Sequence, residues 1–204
     1  MYQDIKRVID IVFAIFLAVL FLPVWIITPL LIYFESGTPI FYRHRRIGMN
    51  GKEFWLYKFR TMVTNADKIL LHNKRLLAEF KNGDWKLKND PRITKLGRIL
   101  RNLTIDEFPQ LFNVLRGEMS LVGPRAYVKQ EIKEQTKKYP QTKKWIRSIM
   151  LVKPGVTGVW QTSGRNEIPF VKRAKMDYDY SKGLSFWGDL NIILKTPEAM
   201  VSKW

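Results

Sequence analysis

The N-terminal region of the chain carries its longest run of apolar positions. Between Asp10 and Glu35 lie 24 residues without a charged side chain, from Ile11 to Phe34. A helix of this length spans the roughly 30 Å hydrocarbon core of a bilayer, so the run predicts a membrane segment. The run exceeds the apolar stretch of a cleaved signal peptide, and no small-residue cleavage site follows it, so we expect it to remain in the mature protein.

Two features of this segment argue against a simple crossing of the bilayer. Pro23 and Pro29 each remove a backbone donor and predict a kink or break. Residues 11–22 form only about 18 Å of helix before that point. Both flanks are basic, which places both ends on the cytoplasmic face; the side chains are Lys6, Arg7, Arg43, Arg45 and Arg46. The pattern favours a re-entrant helix broken at Pro23, and a single tilted, kinked transmembrane helix stays open as the alternative.

Beyond residue 40 the pattern changes to short alternating and helical stretches. The runs 41–46 and 52–59 flank the turn-forming residues Gly48-Met49-Asn50-Gly51, which predicts a hairpin. Residues 65–81 carry apolar groups at helical spacing and are followed by Asn82-Gly83-Asp84, which predicts one helix that ends there. No repeat or linker divides the remainder.

The expected fold is therefore mainly α with a small β element (α+β). Residues 1–40 form the re-entrant membrane helix, and residues 41–204 form one cytoplasmic domain. We expect the membrane helix to pack with surface helices on one face of the membrane.

Charge and composition narrow the classes of chemistry. The 35 Lys and Arg residues against 18 Asp and Glu residues give a formal charge of +17, which indicates anionic partners: nucleic acid, anionic lipid or phosphorylated substrates. The absence of cysteine excludes disulfides, a thiolate nucleophile and thiolate metal sites. With His44 and His72 as the only histidines, a zinc site or a histidine-based triad is disfavoured. The remaining candidates for catalytic groups are carboxylates, Arg, Lys, hydroxyls or a metal with oxygen ligands.

Asp106 and Glu107 lie side by side in the most informative window of the sequence. Thr104 and Glu107 have the spacing of a capping box, and apolar side chains follow at helical spacing, so a helix is predicted to begin near Ile105. Asp106 then lies in the first turn, where the helix dipole and Arg101 stabilise a carboxylate. One carboxylate of such a pair can attack phosphorus while the other moves a proton, and either can hold a divalent cation. That the pair only caps the helix stays open on these residues alone.

Two downstream regions combine glycine with arginine. They are Gly123-Pro124-Arg125 and the stretch from Pro154 through Gly158 to Ser163-Gly164-Arg165-Asn166. Glycine lets backbone amides approach phosphate oxygens and arginine donates in bidentate fashion, so a pyrophosphate site is predicted. Neither the Walker A spacing nor a dinucleotide-binding glycine string occurs, which disfavours an ordinary ATPase or a Rossmann dehydrogenase.

Taken together, these strings resemble the bacterial sugar transferase family, the monotopic polyprenyl-phosphate phosphoglycosyl transferases. Several motifs in the family's order are more specific than any one of them, and they cover nearly the whole chain. They are Lys6-Arg7 with Asp10, Tyr57 to Met62, Asn89 to Thr94, Asp106-Glu107 through Asn113, Met119 to Arg125, Lys153 through Gln161, Ser163 to Asn166, and Asp177 with Tyr180.

The resemblance implies a two-step reaction in the first membrane step of exopolysaccharide, O-antigen or glycoconjugate synthesis. Asp106 would attack the sugar-linked phosphorus of a UDP-sugar, releasing UMP and leaving a covalent phosphosugar. Polyprenyl phosphate, in bacteria undecaprenyl phosphate, would then accept the sugar 1-phosphate. Glu107 would act as base or position the acceptor, and a magnesium ion held partly by Asp106 would neutralise the diphosphate.

The resemblance also implies roles for five basic residues and a location. Arg125 would bind phosphate, Arg101 would orient the acidic pair, and Lys58, Arg60 and Arg165 would contact nucleotide or phosphate. The expected partners are a UDP-sugar, polyprenyl phosphate and the lipid bilayer, with no nucleic acid, and a homodimer stays open. The expected location is the cytoplasmic face of the bacterial inner membrane, in the family's minimal form without an extra N-terminal transmembrane region.

Two departures from the family pattern and one hint about the sugar complete the comparison. Leu22 precedes Pro23 where many relatives have Ser, which leaves open what caps the backbone at the break. Ala126 replaces a second proline after Gly-Pro-Arg, which loosens that turn. The pair Trp160-Gln161 resembles family members that use galactose or glucose 1-phosphate more than those that use N-acetylated sugars. The competing hypothesis is a membrane-tethered basic protein that binds anionic lipid or nucleic acid without turnover.

Overall fold

Two helices at an angle form the N-terminal region of the computed structural model, which describes residues 2–83, 87, 89–164 and 168–200. Helix α1 is Tyr2–Leu20 and helix α2 is Leu22–Ser36, and the pair is bent by 62°. In the described part of the chain no single helix has the length and apolar character to cross a membrane, whereas this bent pair passes that test when taken together.

The break between the two helices lies at Phe21. The sequence had predicted it two residues later, at Pro23. Pro23 falls in the first turn of α2, where the N–H that proline lacks would have no partner within the helix. The interruption precedes the proline because, in a continuous helix, Pro23 would have no N–H to donate to the Val19 carbonyl and its ring would clash with that carbonyl. Pro29 lies inside α2 without ending it. At the break, the Phe21 N–H donates to the Leu17 carbonyl at 3.0 Å and the Val24 N–H donates to the Phe21 carbonyl at 2.9 Å.

The rest of the described chain consists of short helices joined by loops and two small sheets, which confirms the predicted α+β class. The strands are β1 Phe41–Ile47, β2 Glu53–Phe59, β3 Ser120–Val122 and β4 Gly155–Thr157. The further helices are α3 Ala66–His72, α4 Lys74–Asn82, α5 Lys95–Asn102, α6 Gln110–Leu115, α7 Lys129–Lys138, α8 Lys143–Ile149, α9 Phe170–Lys182 and α10 Phe186–Met200. Short 3₁₀ turns occupy residues 49–51, 105–107, 140–142 and 161–163.

The predicted hairpin is confirmed. Strands β1 and β2 pair antiparallel, with Phe41 opposite Phe59 at one end and Ile47 opposite Glu53 at the other. Gly51 turns the chain at a φ of 74°, a conformation that glycine adopts without steric cost. The second sheet is a parallel pair of three-residue strands, β3 and β4.

The helix predicted over residues 65–81 is two helices, because Asn73 interrupts it. The Asn73 side chain accepts the N–H of Leu76 at 3.0 Å and so caps α4, in competition with a continuous helix. Helix α4 ends at Asn82 with Gly83 at its C-cap, as predicted, and Asp84 lies outside the described residues.

Helices α1 and α2 both share core packing with the rest of the chain. One buried cluster joins α1 to β2, α6, β3 and α10, and it includes Ala14, Phe54, Val114, Met119 and Ile192. Another joins α2 to β2 and α5 through Ile32, Phe59 and Leu100. A third, around Tyr127, Ile146 and Phe170, packs α8 against α9. The division of the chain at residue 40 stays a prediction.

Polar contacts also fasten α1 to the body of the protein. Arg7 donates from its two terminal nitrogens to the carbonyls of Val114 at 2.6 Å and Leu115 at 2.9 Å, at the end of α6. The buried Asp10 carboxylate accepts the Leu121 N–H at 3.0 Å. These contacts hold the first half of α1 beside β3 and α6.

Candidate active site

The two adjacent carboxylates lie in a short turn, Ile105–Glu107, called here the acidic turn. It is a single 3₁₀ turn, and α6 begins only at Gln110, after Pro109. The helix start predicted at residue 105 is therefore wrong, and so is the capping box. Thr104 has a left-handed backbone (φ 58°) and no capping bond; its hydroxyl lies 3.2 Å from the Met200 carbonyl, which accepts its hydrogen bond.

The conformation of the acidic turn determines what stabilises the charge of the Asp106 carboxylate. A 3₁₀ turn of three residues has few aligned peptide dipoles, so the helix-dipole stabilisation expected from the sequence is small. Asp106 is also buried, with 4% of its surface exposed. Neighbouring side chains must therefore compensate most of its charge.

Lys58, on β2, provides the nearest of those charges. Its ammonium lies 3.5 Å from Asp106 Oδ2 and donates to Glu107 Oε1 at 2.5 Å. One cation thus contacts both carboxylates of the acidic turn. The sequence resemblance pointed to Lys58 as a nucleotide or phosphate contact, and in the structure this side chain lies against the acidic pair.

Burial raises the pKa of the Asp106 carboxyl above its ordinary value, and the negative charge of Glu107 acts in the same direction. Lys58 and Arg101 oppose this increase by stabilising the carboxylate. Arg101 is positioned by its Nε, which donates to Thr61 Oγ1 at 2.8 Å. The structure thus brings together Asp106, Glu107, Lys58 and Arg101.

Arg125 lies in a second polar cluster. Its backbone N–H donates to Asp177 Oδ2 at 3.1 Å, and its guanidinium lies 4.9 Å from the centre of the Trp160 ring. The Arg125 Nε and the Trp160 Nε1 are buried without a hydrogen-bond partner among the described residues. Donors of this kind suit an anionic or hydroxyl-bearing ligand.

Arg60 has a different position from the one that the sequence led us to expect. Its Nη2 contacts the Ser36 carbonyl at 2.9 Å, the Ser36 hydroxyl at 2.6 Å and the Gly37 carbonyl at 2.8 Å. This guanidinium therefore caps the C-terminal end of α2, and these contacts do not join it to the acidic turn. Arg165 lies outside the described residues.

The downstream glycines serve close packing in the structure and are not a visible phosphate cradle. A Cβ on Gly123 would lie 2.6 Å from the Gly155 backbone nitrogen. These two residues belong to the β3–β4 region, and only hydrogen at Cα allows the two backbones to approach so closely. The expectation that these glycines expose amides to phosphate is not supported there.

Sequence reasoning missed Asn113, which positions Lys58 relative to the acidic turn. This fully buried side chain in α6 accepts the Tyr57 N–H at 3.1 Å and donates to the Trp55 carbonyl at 2.7 Å. It thereby fixes β2, which carries Lys58, against the helix that follows the acidic turn. The signal in the sequence was an amide, Asn113, between apolar residues of a helical stretch.

The metal-binding capacity of the site is limited to the acidic turn. No group of three His, Cys, Asp or Glu side chains that could hold a metal ion occurs within residues 2–83, 87, 89–164 and 168–200. Mg²⁺ in phosphoryl-transfer sites commonly takes one or two carboxylates together with water and substrate phosphates. Asp106 and Glu107 are donors of the right chemical type for a cation shared with substrate in this way.

The sequence of this chain matches that of a known protein family. The sequence model of the family described as bacterial sugar transferase covers residues 1–203. The chain therefore belongs to the bacterial sugar transferase family.

Individual relatives make the class more specific. The undecaprenyl-phosphate galactose phosphotransferase of Salmonella typhimurium is 40% identical over 207 residues, covering 98% of this chain and 41% of that protein. The exopolysaccharide production protein ExoY of Rhizobium meliloti is 40% identical over 199 residues, covering 96% of this chain and 84% of the relative. An N-acetylgalactosaminephosphotransferase of Aeromonas hydrophila is 33% identical over 198 residues, covering 96% and 43%. The chain thus spans less than half the length of the Salmonella and Aeromonas proteins.

Proposed function

We propose that this protein transfers a sugar 1-phosphate from a UDP-sugar to polyprenyl phosphate, with undecaprenyl phosphate as the acceptor, and releases UMP. The names of its relatives support this class of acceptor and of transferred group. The observation that carries the proposal is the acidic turn, in which a buried Asp106 lies beside Glu107 and two cations.

In the first step, a carboxylate oxygen of Asp106 attacks the sugar-linked phosphorus of the donor. The new bond joins that oxygen to phosphorus, the phosphorus–oxygen bond to UMP breaks, and UMP leaves with the electron pair. Lys58 and Arg101 stabilise the ionised form of Asp106, which is the form that acts as a nucleophile. Arg125 holds phosphate oxygens through its guanidinium.

In the second step, an oxygen of polyprenyl phosphate attacks the phosphosugar on Asp106. The bond between phosphorus and the Asp106 oxygen breaks, and the carboxylate is regenerated. Glu107 lies next to the reacting centre and shares Lys58 with Asp106, so it positions the acceptor or takes its proton.

A magnesium ion, held by Asp106 together with substrate phosphates, would neutralise the diphosphate charge as UMP leaves. For the sugar, we infer galactose or glucose from Trp160-Gln161. The Trp160 Nε1 and Gln161 Oε1 are buried without partners among the described residues and offer one donor and one acceptor for sugar hydroxyls.

We also propose that the α1–α2 pair enters one leaflet of the cytoplasmic membrane from the cytoplasmic side and returns to it. Both ends of the pair are bound to the same body, through Arg7 and Asp10 at the start and Arg60 at the end. A spanning helix would separate those ends by the thickness of the bilayer. The pair also exposes large apolar side chains that suit lipid; examples are Val8, Val12, Phe16, Val19, Ile26, Leu30 and Phe34.

Labelling of single cysteines tests this placement, because the chain has none of its own. Gln3→Cys marks the exposed start of α1, and Lys52→Cys marks the exposed hairpin turn. In sealed inverted vesicles, a membrane-impermeant maleimide should react with both cysteines from the outside. Reaction of the residue-3 cysteine only after the vesicles are opened would establish a spanning helix.

The chemical proposal is tested by UMP release. Purified protein in nanodiscs is incubated with Mg²⁺, undecaprenyl phosphate and each member of a panel of UDP-sugars. We expect release with UDP-galactose or UDP-glucose, loss of release on chelation of the metal, and formation of a lipid-linked product. No release with any sugar, combined with salt-dependent binding of anionic vesicles or nucleic acid, would favour the tethered binding protein instead.

A further inference from the structure

A second basic side chain lies on the hairpin face that carries Lys58. In an antiparallel pair, directly opposed residues share a face, and the faces alternate along each strand. Arg46 is opposite Phe54, and Tyr42 is opposite Lys58, so Arg46 and Lys58 point to the same side. Arg43 points to the other side, where its guanidinium lies 4.7 Å from the centre of the Trp55 ring.

Arg46 is held close to Arg125. Its Nη1 donates to the carbonyl of Ala126, the residue after Arg125, at 3.0 Å. The Nε atoms of both arginines are buried without a hydrogen-bond partner among the described residues. Burial and the positive charge of Arg125 lower the pKa of Arg46 to about 10, although Glu131 and Glu107 oppose this. Arg46 therefore stays protonated at neutral pH, next to a like charge and with a donor unused.

Arg46 also lines a cavity of about 300 Å³ between the hairpin and the start of α7, together with Arg45 and with His44, Ile47, Glu53, Val128, Lys129 and Gln130. A salt bridge of 2.9 Å between Lys129 and Glu53 belongs to this lining. The Nδ1 of His44 is buried and has no partner among the described residues. Burial and the charge of Arg46 lower the pKa of His44 to about 4, so this ring is neutral and offers hydrogen bonding without charge.

The position of the cavity favours a soluble ligand over a lipid. The membrane-proximal end of the hairpin is at Phe41, whose ring stacks on Phe59, and Phe59 packs in the cluster that contains Ile32 of α2. Arg46 lies five residues further along β1, or about 17 Å. The phosphate of a lipid acceptor stays near the head-group plane, whereas a nucleotide can reach this depth.

We propose that Arg46 is a phosphate-binding residue that, with Arg125, holds the diphosphate of the nucleotide donor where the two guanidiniums meet, at the edge of this cavity. The inference rests on the proposed function for the identity of the donor. An anion between the two guanidiniums satisfies the unused donors and removes the repulsion between like charges. The plainer reading is that Arg46 serves only to tie β1 to Ala126.

The test compares Arg46→Gln and Arg46→Lys with Arg43→Gln, the matched change at an exposed arginine on the opposite hairpin face that does not line the cavity, all in full-length protein in nanodiscs. UDP affinity, donor KM, acceptor KM and thermal midpoint are measured for each. For Arg46→Gln we expect UDP affinity to fall and donor KM to rise by about 10-fold or more, as for a lost charge-assisted hydrogen bond. Acceptor KM should stay near wild type, and the thermal midpoint should fall by no more than the loss of one hydrogen bond to Ala126 explains. Arg46→Lys should recover part of the loss, and Arg43→Gln should resemble wild type.

Three results would overturn the assignment: wild-type UDP affinity in Arg46→Gln, an effect on acceptor KM alone, or a lower thermal midpoint with unchanged donor KM and UDP affinity. The first and third would leave Arg46 a purely structural role, and the second would make it a lipid-phosphate contact. If no UDP-sugar supports UMP release but UDP binding still depends on Arg46, the proposed function fails and the nucleotide site stands.

Discussion

Two buried aspartates in this molecule have different surroundings. Asp177, in α9, is fully buried, and its Oδ2 accepts the Tyr127 hydroxyl at 2.7 Å and the Arg125 N–H at 3.1 Å. Asp106, in the acidic turn, is almost as buried, but the Lys58 ammonium lies 3.5 Å from it and also bonds to Glu107. One carboxylate is fixed by two short neutral donors, and the other is balanced by a shared cation.

The difference separates a positioning carboxylate from a reactive one. Burial raises the pKa of Asp177 to about 6, against the hydrogen bonds from Tyr127 and Arg125, and its bonds hold the backbone of Arg125 in place. Asp106 has an electrostatic partner, Lys58, which it shares with Glu107. A carboxylate kept ionised by a neighbouring cation suits attack on phosphorus.

The largest expected effect separates these two residues directly. Asp106→Asn keeps size and polarity but removes the nucleophile, so UMP release should fall by about 10⁴-fold or more. Asp177→Asn is the matched change at the other buried aspartate, where an amide oxygen can still accept both hydrogen bonds, and it should retain most of the activity. Steady-state UMP release with both variants measures this. Comparable losses in the two would abolish the distinction between them.

The second prediction concerns the shared cation. Lys58→Met removes a charge that lowers the pKa of Asp106, so that pKa rises further and the acidic limb of the pH–rate profile moves to higher pH. At neutral pH we expect kcat to fall by about 100-fold, as for the loss of one electrostatic contact at a reacting centre. Lys52→Met, at the exposed hairpin turn, is the control. An unshifted acidic limb in Lys58→Met would show that Lys58 does not set the charge of Asp106.

The third prediction is a pH dependence of stability from Asp177. Its folded-state pKa of about 6 lies above the ordinary value of 3.8, so its favourable contribution is present below about pH 4 and is lost as pH rises through about 6. The shift corresponds to about 3 kcal/mol. The unfolding free energy of wild type, relative to Asp177→Asn, should therefore decrease by up to that amount from pH 4 to pH 7. Parallel stability curves for the two proteins would contradict the assignment.

The smallest expected effect concerns Arg60, which caps α2 and does not contact the acidic turn. Arg60→Gln should lower the unfolding free energy by about 1–3 kcal/mol, because the carbonyls at the end of α2 lose a charged donor. The kcat and donor KM should stay near wild type. Thermal unfolding and steady-state kinetics of this variant distinguish helix capping from nucleotide binding by Arg60. A rise in donor KM without loss of stability would show that Arg60 contacts the nucleotide.

The hairpin and the interrupted apolar pair were predictable because local sequence determines them. Turn residues and alternating positions define β1 and β2, and Pro23 stops α1 shortly before it. The acidic turn was predicted with the wrong conformation. Its left-handed Thr104 contacts Met200, 96 positions further along the chain, and no pattern within a few residues of Asp106 encodes that contact.

Among the residues around the site, too, those marked by local sequence motifs were identified and those defined by distant contacts were not. Asp106, Glu107, Arg101 and Lys58 were identified from motifs, and the structure brings them together. Arg46 and Asn113 were missed because their meaning depends on tertiary contacts, to Ala126 in one case and to β2 in the other. Arg60 was assigned to phosphate because it belongs to a matching motif, although its guanidinium is used to cap a helix.

The central claim is that Asp106 carries the phosphosugar covalently, and intact-protein mass spectrometry tests it most directly. Wild-type protein is incubated with Mg²⁺ and the UDP-sugar that supports turnover, without polyprenyl phosphate, and is then denatured rapidly. We predict a mass increase equal to the sugar 1-phosphate less one water, absent in Asp106→Asn and discharged when undecaprenyl phosphate is added before denaturation. An unmodified wild-type protein during active UMP release, or the same adduct on Asp106→Asn, would contradict the account.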